Sequence, residues 1–360
     1  MLRADIIQKK CRDLWFCPLT IVLCILLAGC TVDIAAGSYG STNGTTTCLA
    51  DCTVGSGAHG LKLFVEPDAG DKVITNAIAG AKQSVWVKIY LLTNRNVIEA
   101  LEEAAHRGLD VRVMLEVHPY GGGSISPTET MDRLKAAGVK TQAANPRFAL
   151  THEKSMIIDA RTAYIMTANF TLSALGGSKS TTNREYGLID TNVQDVQSVI
   201  DLFNADWNRE DVQVNNPNMV VSPINARHTF VALISSAHKT LQVEAEEMQD
   251  EQIEQELINA ARRGVQVSVI LPPSQGSDDH NNEGVNAIKQ GGVQVRRDAK
   301  LYMHAKIIIV DGQKAFVGSE NISSASLDKN RELGLLVADR QVMSTLQGTF
   351  QRDWRDSRVG

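Results

Sequence analysis

The chain has 360 residues with 36 basic and 41 acidic side chains, a formal net charge of -5, 43% apolar residues and 5% aromatic ones. This balance excludes a disordered tail, a collagen-like chain and a polytopic membrane protein, and at about 150 residues per domain the length gives two domains. A mild acidic excess argues against coating nucleic acid, which needs clustered Lys and Arg. The cysteines, Cys11, Cys17, Cys24, Cys30, Cys48 and Cys52, all lie near the N-terminus, so the remainder has neither a cysteine zinc site nor a catalytic cysteine.

Arg3, Lys9, Lys10 and Arg12 precede an apolar stretch from Leu14 to Ala28. That stretch is shorter than the roughly 20 residues of a spanning helix and reads as a signal peptide, residues 1–29. It ends in Leu27-Ala28-Gly29-Cys30, which resembles the lipobox of bacterial lipoproteins. The resemblance implies cleavage before Cys30 and a lipid on its thiol, which places the protein in the bacterial cell envelope, lipid-anchored to a membrane. Thr31 in place of Asp after the cysteine points to the outer membrane, or a periplasm-facing site. Residues 30–60 are rich in Gly, Ser, Thr and Ala and predict a flexible tether. Within it Cys48 and Cys52 either close a small disulfide loop or stay free or intermolecularly paired.

The body is one unit written twice. Val85-Trp86-Val87, Ala104-Ala105-His106-Arg107-Gly108 and Val111-Arg112-Val113-Met114-Leu115 return as Leu241-Gln242-Val243, Ala260-Ala261-Arg262-Arg263-Gly264 and Val267-Ser268-Val269-Ile270-Leu271, at a constant offset of 156. A repeat at fixed offset is the mark of duplication. Ile98, Leu101 and Ala105, like Ile253, Leu257 and Ala261, fall near helical spacing, and Gly108 and Gly264 stand at C-cap positions. A polar break at Asn215-Asn216-Pro217 divides residues 61–215 from 216–360. Strands alternating with helices predict the α/β class: two pseudo-twofold-related repeats, each a mixed sheet flanked by helices, forming an α-β-β-α sandwich.

Each copy carries the same polar set. His152, Lys154 and Asp159 are followed by Thr167 and Asn169, and His304, Lys306 and Asp311 by Ser319 and Asn321. Period-two alternation puts each histidine on one face with its lysine, and sends Asp159 to the other face, where it would fix a turn. Downstream, Asn183-Arg184-Glu185 matches Asn330-Arg331-Glu332. Glu185 and Glu332 could each fix the tautomer of a histidine; the alternative is a surface ion pair with the neighbouring arginine. A lysine beside each histidine would repel a divalent cation, so neither a metal nor another cofactor is expected. His118 and His280 follow strands and could line the cleft. Ser173–Asn183 reads as a lid or a plain surface loop, and Arg262-Arg263 and Arg296-Arg297 as solvated faces.

The doubled pattern His-x-Lys-x4-Asp-x6-Gly-Ser-x-Asn resembles the signature of the phospholipase D superfamily of metal-independent phosphodiesterases. The second copy fits throughout, and the first has Met166-Thr167 in place of Gly-Ser. The resemblance implies that His152 attacks phosphorus while His304 serves as acid and then base. It also implies that Lys154, Lys306, Asn169 and Asn321 bind phosphoryl oxygens, with Asp159, Asp311, Ser319, Glu185 and Glu332 completing the catalytic set. The expected activity is cleavage or transfer of phospholipid head groups, by a monomer with an internal pseudo-dimer. A nuclease would use the same residues but finds no basic stripe interleaved with aromatics, and a retired binding protein would not keep both sets.

Overall fold

The two sequence copies become two mixed sheets of matching topology in a computed structural model that describes residues 55–120 and 126–360. The first repeat runs β1 (Lys62–Glu66), α1 (Lys72–Gly80), β2 (Ser84–Ile89), α2 (Arg95–His106), β3 (Asp110–Leu115), α3 (Pro127–Ala136), β4 (Lys140–Ala143), β5 (Ser155–Ile158), β6 (Thr162–Met166), β7 (Asn183–Asp190) and α4 (Val193–Asn208). The second runs β8 (Met219–Ser222), α5 (Ala226–Ser235), β9 (Thr240–Ala245), β10 (Met248–Gln249), α6 (Glu251–Arg262), β11 (Gln266–Leu271), α7 (Asn282–Gln290), β12 (Gln294–Arg297), β13 (Tyr302–Met303), β14 (Lys306–Val310) and β15 (Lys314–Gly318). It closes with β16 (Ile322–Ser323), α8 (Ser324–Asp328), β17 (Glu332–Val337), α9 (Arg340–Asp356) and β18 (Arg358–Val359).

The sheet orders are β1-β7-β6-β5-β2-β3-β4 and β18-β12-β11-β9-β14-β15-β17-β8. In each, three strands joined through helices lie parallel, and the hairpin carrying the polar motif adds antiparallel to them. Local chemistry sets the helices in the same way twice. Asn94 accepts from the Val97 N–H at the start of α2, and Asp250 from the Ile253 N–H at the start of α6, each satisfying a donor that the helix itself leaves free. Gly108 and Gly264 leave those helices with φ of 83° and 91°, a left-handed turn that costs glycine least.

Alternation along the motif strands divides the core. On β5, Ile157 faces a shared cluster while Met156 packs under the first repeat's helices; on β14, Ile307 and Ile309 enter the shared cluster and Ile308 and Val310 the second repeat's own. The shared cluster joins Tyr186 and Leu188 to Leu333 and Leu335 and is flanked by residues of α4 and α9. Each fully buried Ile or Leu there contributes about 1.5–3 kcal/mol, so the sheets pack face to face with helices outside, the expected sandwich.

The end of the expected tether is docked. Gly57 N–H donates to Asn218 Oδ1, Ala58 exchanges backbone hydrogen bonds with Leu336 and Ala338, and Lys314 Nζ donates to the Gly55 carbonyl. Gly57 is required, since a Cβ would stand 2.6 Å from that of Ala338. The signal peptide, Cys30, Cys48 and Cys52 lie outside the described residues. No helix among the described residues is long and apolar enough to cross a membrane.

Candidate active site

Both motif loops are laid against the other repeat. Thr151 pairs with Arg331, and the N–H groups of His152 and Glu153 donate to the Arg331 carbonyl. Symmetrically, Tyr302 and Met303 pair with Asn183 and Arg184, and His304 N–H donates to the Arg184 carbonyl. This crossing brings the imidazoles to the repeat junction, each 8% exposed.

Each histidine faces the other repeat's glutamate. Nδ1 of His152 lies 3.0 Å from both oxygens of Glu332, and Nδ1 of His304 lies 2.8 Å from Glu185 Oε1, a close contact whose angle falls short of a hydrogen bond. The glutamates are themselves held. Ser319 Oγ donates to Glu332 at 2.7 Å and Thr167 Oγ1 to Glu185 at 2.6 Å, while Asn330 and Asn183 donate to the same two carboxylates. Thr167 therefore makes the bond that Ser319 makes, and the departure Met166-Thr167 keeps its hydroxyl.

The arginines of the Asn-Arg-Glu triplets do not neutralise their neighbouring glutamates. Arg184 forks onto Asp353 at 2.6 and 2.8 Å, and Arg331 donates from Nη2 to Asp206 at 3.1 Å with its Nε in ion-pair contact at 3.0 Å, each across the repeat junction. Lys88 adds 2.9 and 2.7 Å contacts to Glu153 and Asp206. The second repeat has Glu244 where the first has Lys88, and Tyr186 Oη donates to it at 2.6 Å.

Lys154 Nζ donates to the His152 carbonyl, and Lys306 Nζ to the His304 carbonyl at 2.7 Å and to Glu246 at 2.7 Å. Burial pushes Lys154 down to about 7 against the pull of Glu332, with Lys306 adding repulsion. Burial likewise lowers His152, which Glu332 opposes and Lys154 reinforces. Burial alone would raise Glu332; the charge and hydrogen bond of His152 hold it below the ordinary carboxylate range. Asn169 Oδ1 accepts from the Leu91 N–H at 3.3 Å, and the Asn321 N–H donates to Ser326 Oγ at 2.8 Å.

Asp159 and Asp311 leave the catalytic set. Each has φ near 50° and accepts from three consecutive backbone N–H groups, those of Lys82, Gln83 and Ser84, and of His238, Lys239 and Thr240. They clamp the turns that lead into β2 and β9, at the opposite ends of β5 and β14 from the histidines; His152 and Lys154 precede β5 and Asp159 follows it, so strand alternation does not relate them. His118 and His280 are exposed. The segment Ser173–Asn183 is anchored by buried Ala174 and Leu175. Arg296 and Arg297 bond the carbonyls of Trp354 and Pro272, so they brace the fold and are not merely solvated.

Sequence reasoning missed Glu246 and Tyr90. They hold the same place, one residue beyond β9 and β2. Glu246 Oε2 stands 3.3 Å from His304 Nε2. The Tyr90 ring lies edge-on to His152 at 4.7 Å between centroids, with Lys154 Nζ 5.3 Å from its centre. The repeat comparison could have found the pair as a mismatch at matched positions.

Two crossed His-Glu pairs with a lysine beside each define a doubled site, and the chain belongs to the family whose model is described as "Cardiolipin synthase, PLD-like domain", matched at residues 74–207 and 230–354, one stretch per repeat. That family is part of the phospholipase D superfamily. The chain is 23% identical over 339 residues to a cardiolipin synthase of Clostridium perfringens, covering 81% of this chain and 70% of that one. Its fold is similar to that of phosphatidylserine synthase from Haemophilus influenzae, with TM-score 0.63, 14% identity, and 83% and 87% of the two chains covered. Polyphosphate kinase from Porphyromonas gingivalis matches with TM-score 0.64 and 17% identity over 82% of this chain, which spans about half of that protein, 47%.

Proposed function

We propose that the protein cleaves or exchanges phospholipid head groups through a phosphohistidine. The observation that carries this reading is the crossed pairing: with Nδ1–H of His152 donating to Glu332, the Nε2 lone pair is left free to attack. In the first step a P–N bond forms at His152, the P–O bond to the leaving alcohol breaks, and His304 gives that oxygen its proton. In the second step water or another alcohol yields a proton to His304 as its oxygen displaces His152 from phosphorus. Lys154, Lys306, Asn169 and Asn321 would bind the phosphoryl oxygens throughout. The lowered basicity of His152 favours it as the nucleophile, because it stays uncharged at neutral pH. Transfer to a second alcohol agrees with the cardiolipin synthase relatives, and an anchor at Cys30 would keep the enzyme at its substrate.

The test is incubation of the protein lacking residues 1–29, in excess EDTA, with phosphatidylcholine, phosphatidylglycerol and single-stranded DNA. Released head group or a new phosphatidyl alcohol is expected. Cleavage of DNA alone would move the assignment to a nuclease, and inactivity on every diester by a folded protein would reject catalysis.

A further inference from the structure

The two walls of the junction differ where the repeats should match. Beyond β2 stands Tyr90, whose hydroxyl accepts from the Tyr120 N–H at 2.5 Å. The Tyr90 ring lies edge-on to His152, so this wall is aromatic. Beyond β9 stands Glu246, with one oxygen 2.7 Å from Lys306 Nζ and 3.3 Å from His304 Nε2, and the other 3.4 Å from the Tyr302 hydroxyl. Burial alone would raise its pKa, yet the charges of His304 and Lys306 hold it well below the ordinary range, so it stays ionised. Its side chain is 20% exposed, open enough to meet a bound molecule.

A carboxylate in that place can only accept hydrogen bonds. A phosphodiester anion offers none, and two like charges against one lysine repel. The alcohol on one side of the phosphorus is the only part of such a substrate that carries donors. We infer that Glu246 gives the pseudo-symmetric cleft its direction by receiving a hydroxyl or ammonium on the alcohol that leaves from, or arrives at, the His304 side. The apolar remainder of the phosphodiester then lies toward Tyr90. In-line displacement places the nucleophile opposite the leaving oxygen, which makes His152 the attacking group for a reason independent of its basicity. The inference rests on the phosphodiesterase reading above and adds to it the residue that selects the alcohol.

The test compares kcat/KM for phosphatidylglycerol, phosphatidylethanolamine and phosphatidylpropanol, whose head groups carry hydroxyls, an ammonium and no donor, in wild type, Glu246→Asp, Glu246→Gln and Glu246→Tyr. All variants should lose rate, because each removes or lengthens the carboxylate contact to Lys306. Wild type should favour at least one donor-bearing head group over propanol by about tenfold or more, the scale of one lost hydrogen bond to a charged group. That ratio should fall toward one in Glu246→Gln and Glu246→Tyr and survive in part in Glu246→Asp; which head group is preferred tells hydroxyl from ammonium. Alkaline quenching and peptide mass spectrometry should find the phosphoryl group on His152 in wild type and partly on His304 in Glu246→Gln. A uniform fall on all three lipids with the label unmoved would overturn the inference while leaving the phosphodiesterase intact. Equal use of propanol by wild type would overturn it too, and wild-type inactivity on all three lipids would overturn both.

Discussion

Beneath the junction the repeats solve one problem with different charges. Under His152 the first repeat buries Lys88 and Glu153 beside the Arg331–Asp206 pair, two cations against two anions. Under His304 the second buries the Arg184–Asp353 pair and Glu244, with Ala305 where Glu153 would be. Burial, and then the nearby Asp353, raise the Glu244 pKa, so that carboxyl takes up a proton where the first repeat uses a counter-ion. Both floors approach neutrality, as a low dielectric demands. The symmetry is kept in the groups that orient histidine and is lost in the groups that only need to balance.

Removing the symmetric elements should have the largest effects. His152→Ala and His304→Ala should each lower turnover by about 10⁴-fold or more, since each removes a proton-transfer or nucleophilic step; a small loss in either would break the equivalence of the halves. Glu332→Gln and Glu185→Gln should each cost about 10²- to 10⁴-fold through the wrong histidine tautomer, with the larger loss at Glu332, whose histidine is bonded from both oxygens. Steady-state kinetics with a folding check by circular dichroism decides both.

The floors can be compared by stability. Cutting a buried ion pair costs about 3–5 kcal/mol, or roughly 10 °C of melting temperature for a chain of this size. Arg184→Met should lose more than Arg331→Met, because Asp206 keeps Lys88 while Asp353 keeps no ion-pair partner among the described residues. The reverse order in calorimetry would show that Lys88 cannot substitute for Arg331.

Acidity gives two smaller tests. If charged Lys154 is needed to bind phosphate, kcat/KM should fall as pH rises through about 7, where burial places that lysine. Lys154→Arg should carry the plateau to higher pH, since a guanidinium stays charged. For stability the sign comes from Glu244. Its native pKa is raised above the ordinary 4.5, so its contribution is present below that value and is lost as pH climbs through the raised one. Glu244→Gln should match wild type near pH 4.5 and melt a few degrees above it in mild alkali; a difference independent of pH would mean that the carboxyl is ionised throughout.

The sequence made the repeats, the strand alternation and the polar set legible, because duplication preserves spacing and spacing is what a linear reading measures. The turn-fixing role expected of Asp159 is seen in its bonds to the backbone N–H groups of Lys82, Gln83 and Ser84, although it lies past the end of β5 and not on one of its faces. The exchange of partners could not be read in this way. Glu185 lies nearer in sequence to His152 than to His304, and only the packing of β7 against β13 brings it to the latter. The triplet arginines look like local ion-pair partners for the glutamates beside them, yet strand alternation turns each toward a helix of the junction. Lys88 and Glu244 sit inside short apolar strands, where a single charge gives no hint of the Asp206 far along the chain that neutralises Lys88 or of the Tyr186 hydroxyl that bonds Glu244. Glu246 stands opposite Tyr90, a different residue at the matched position, so a search for identical residues passes over it and only a search for mismatches finds it.

The His152–Glu332 bond spans 180 residues, which sets an order in time as well as in space. During synthesis the first imidazole is made long before the carboxylate that turns it, and β17 is among the last strands to emerge. A nascent or prematurely ended chain thus holds a complete first repeat whose histidine has no carboxylate at its Nδ1, and that bond can form only once β17 has been made.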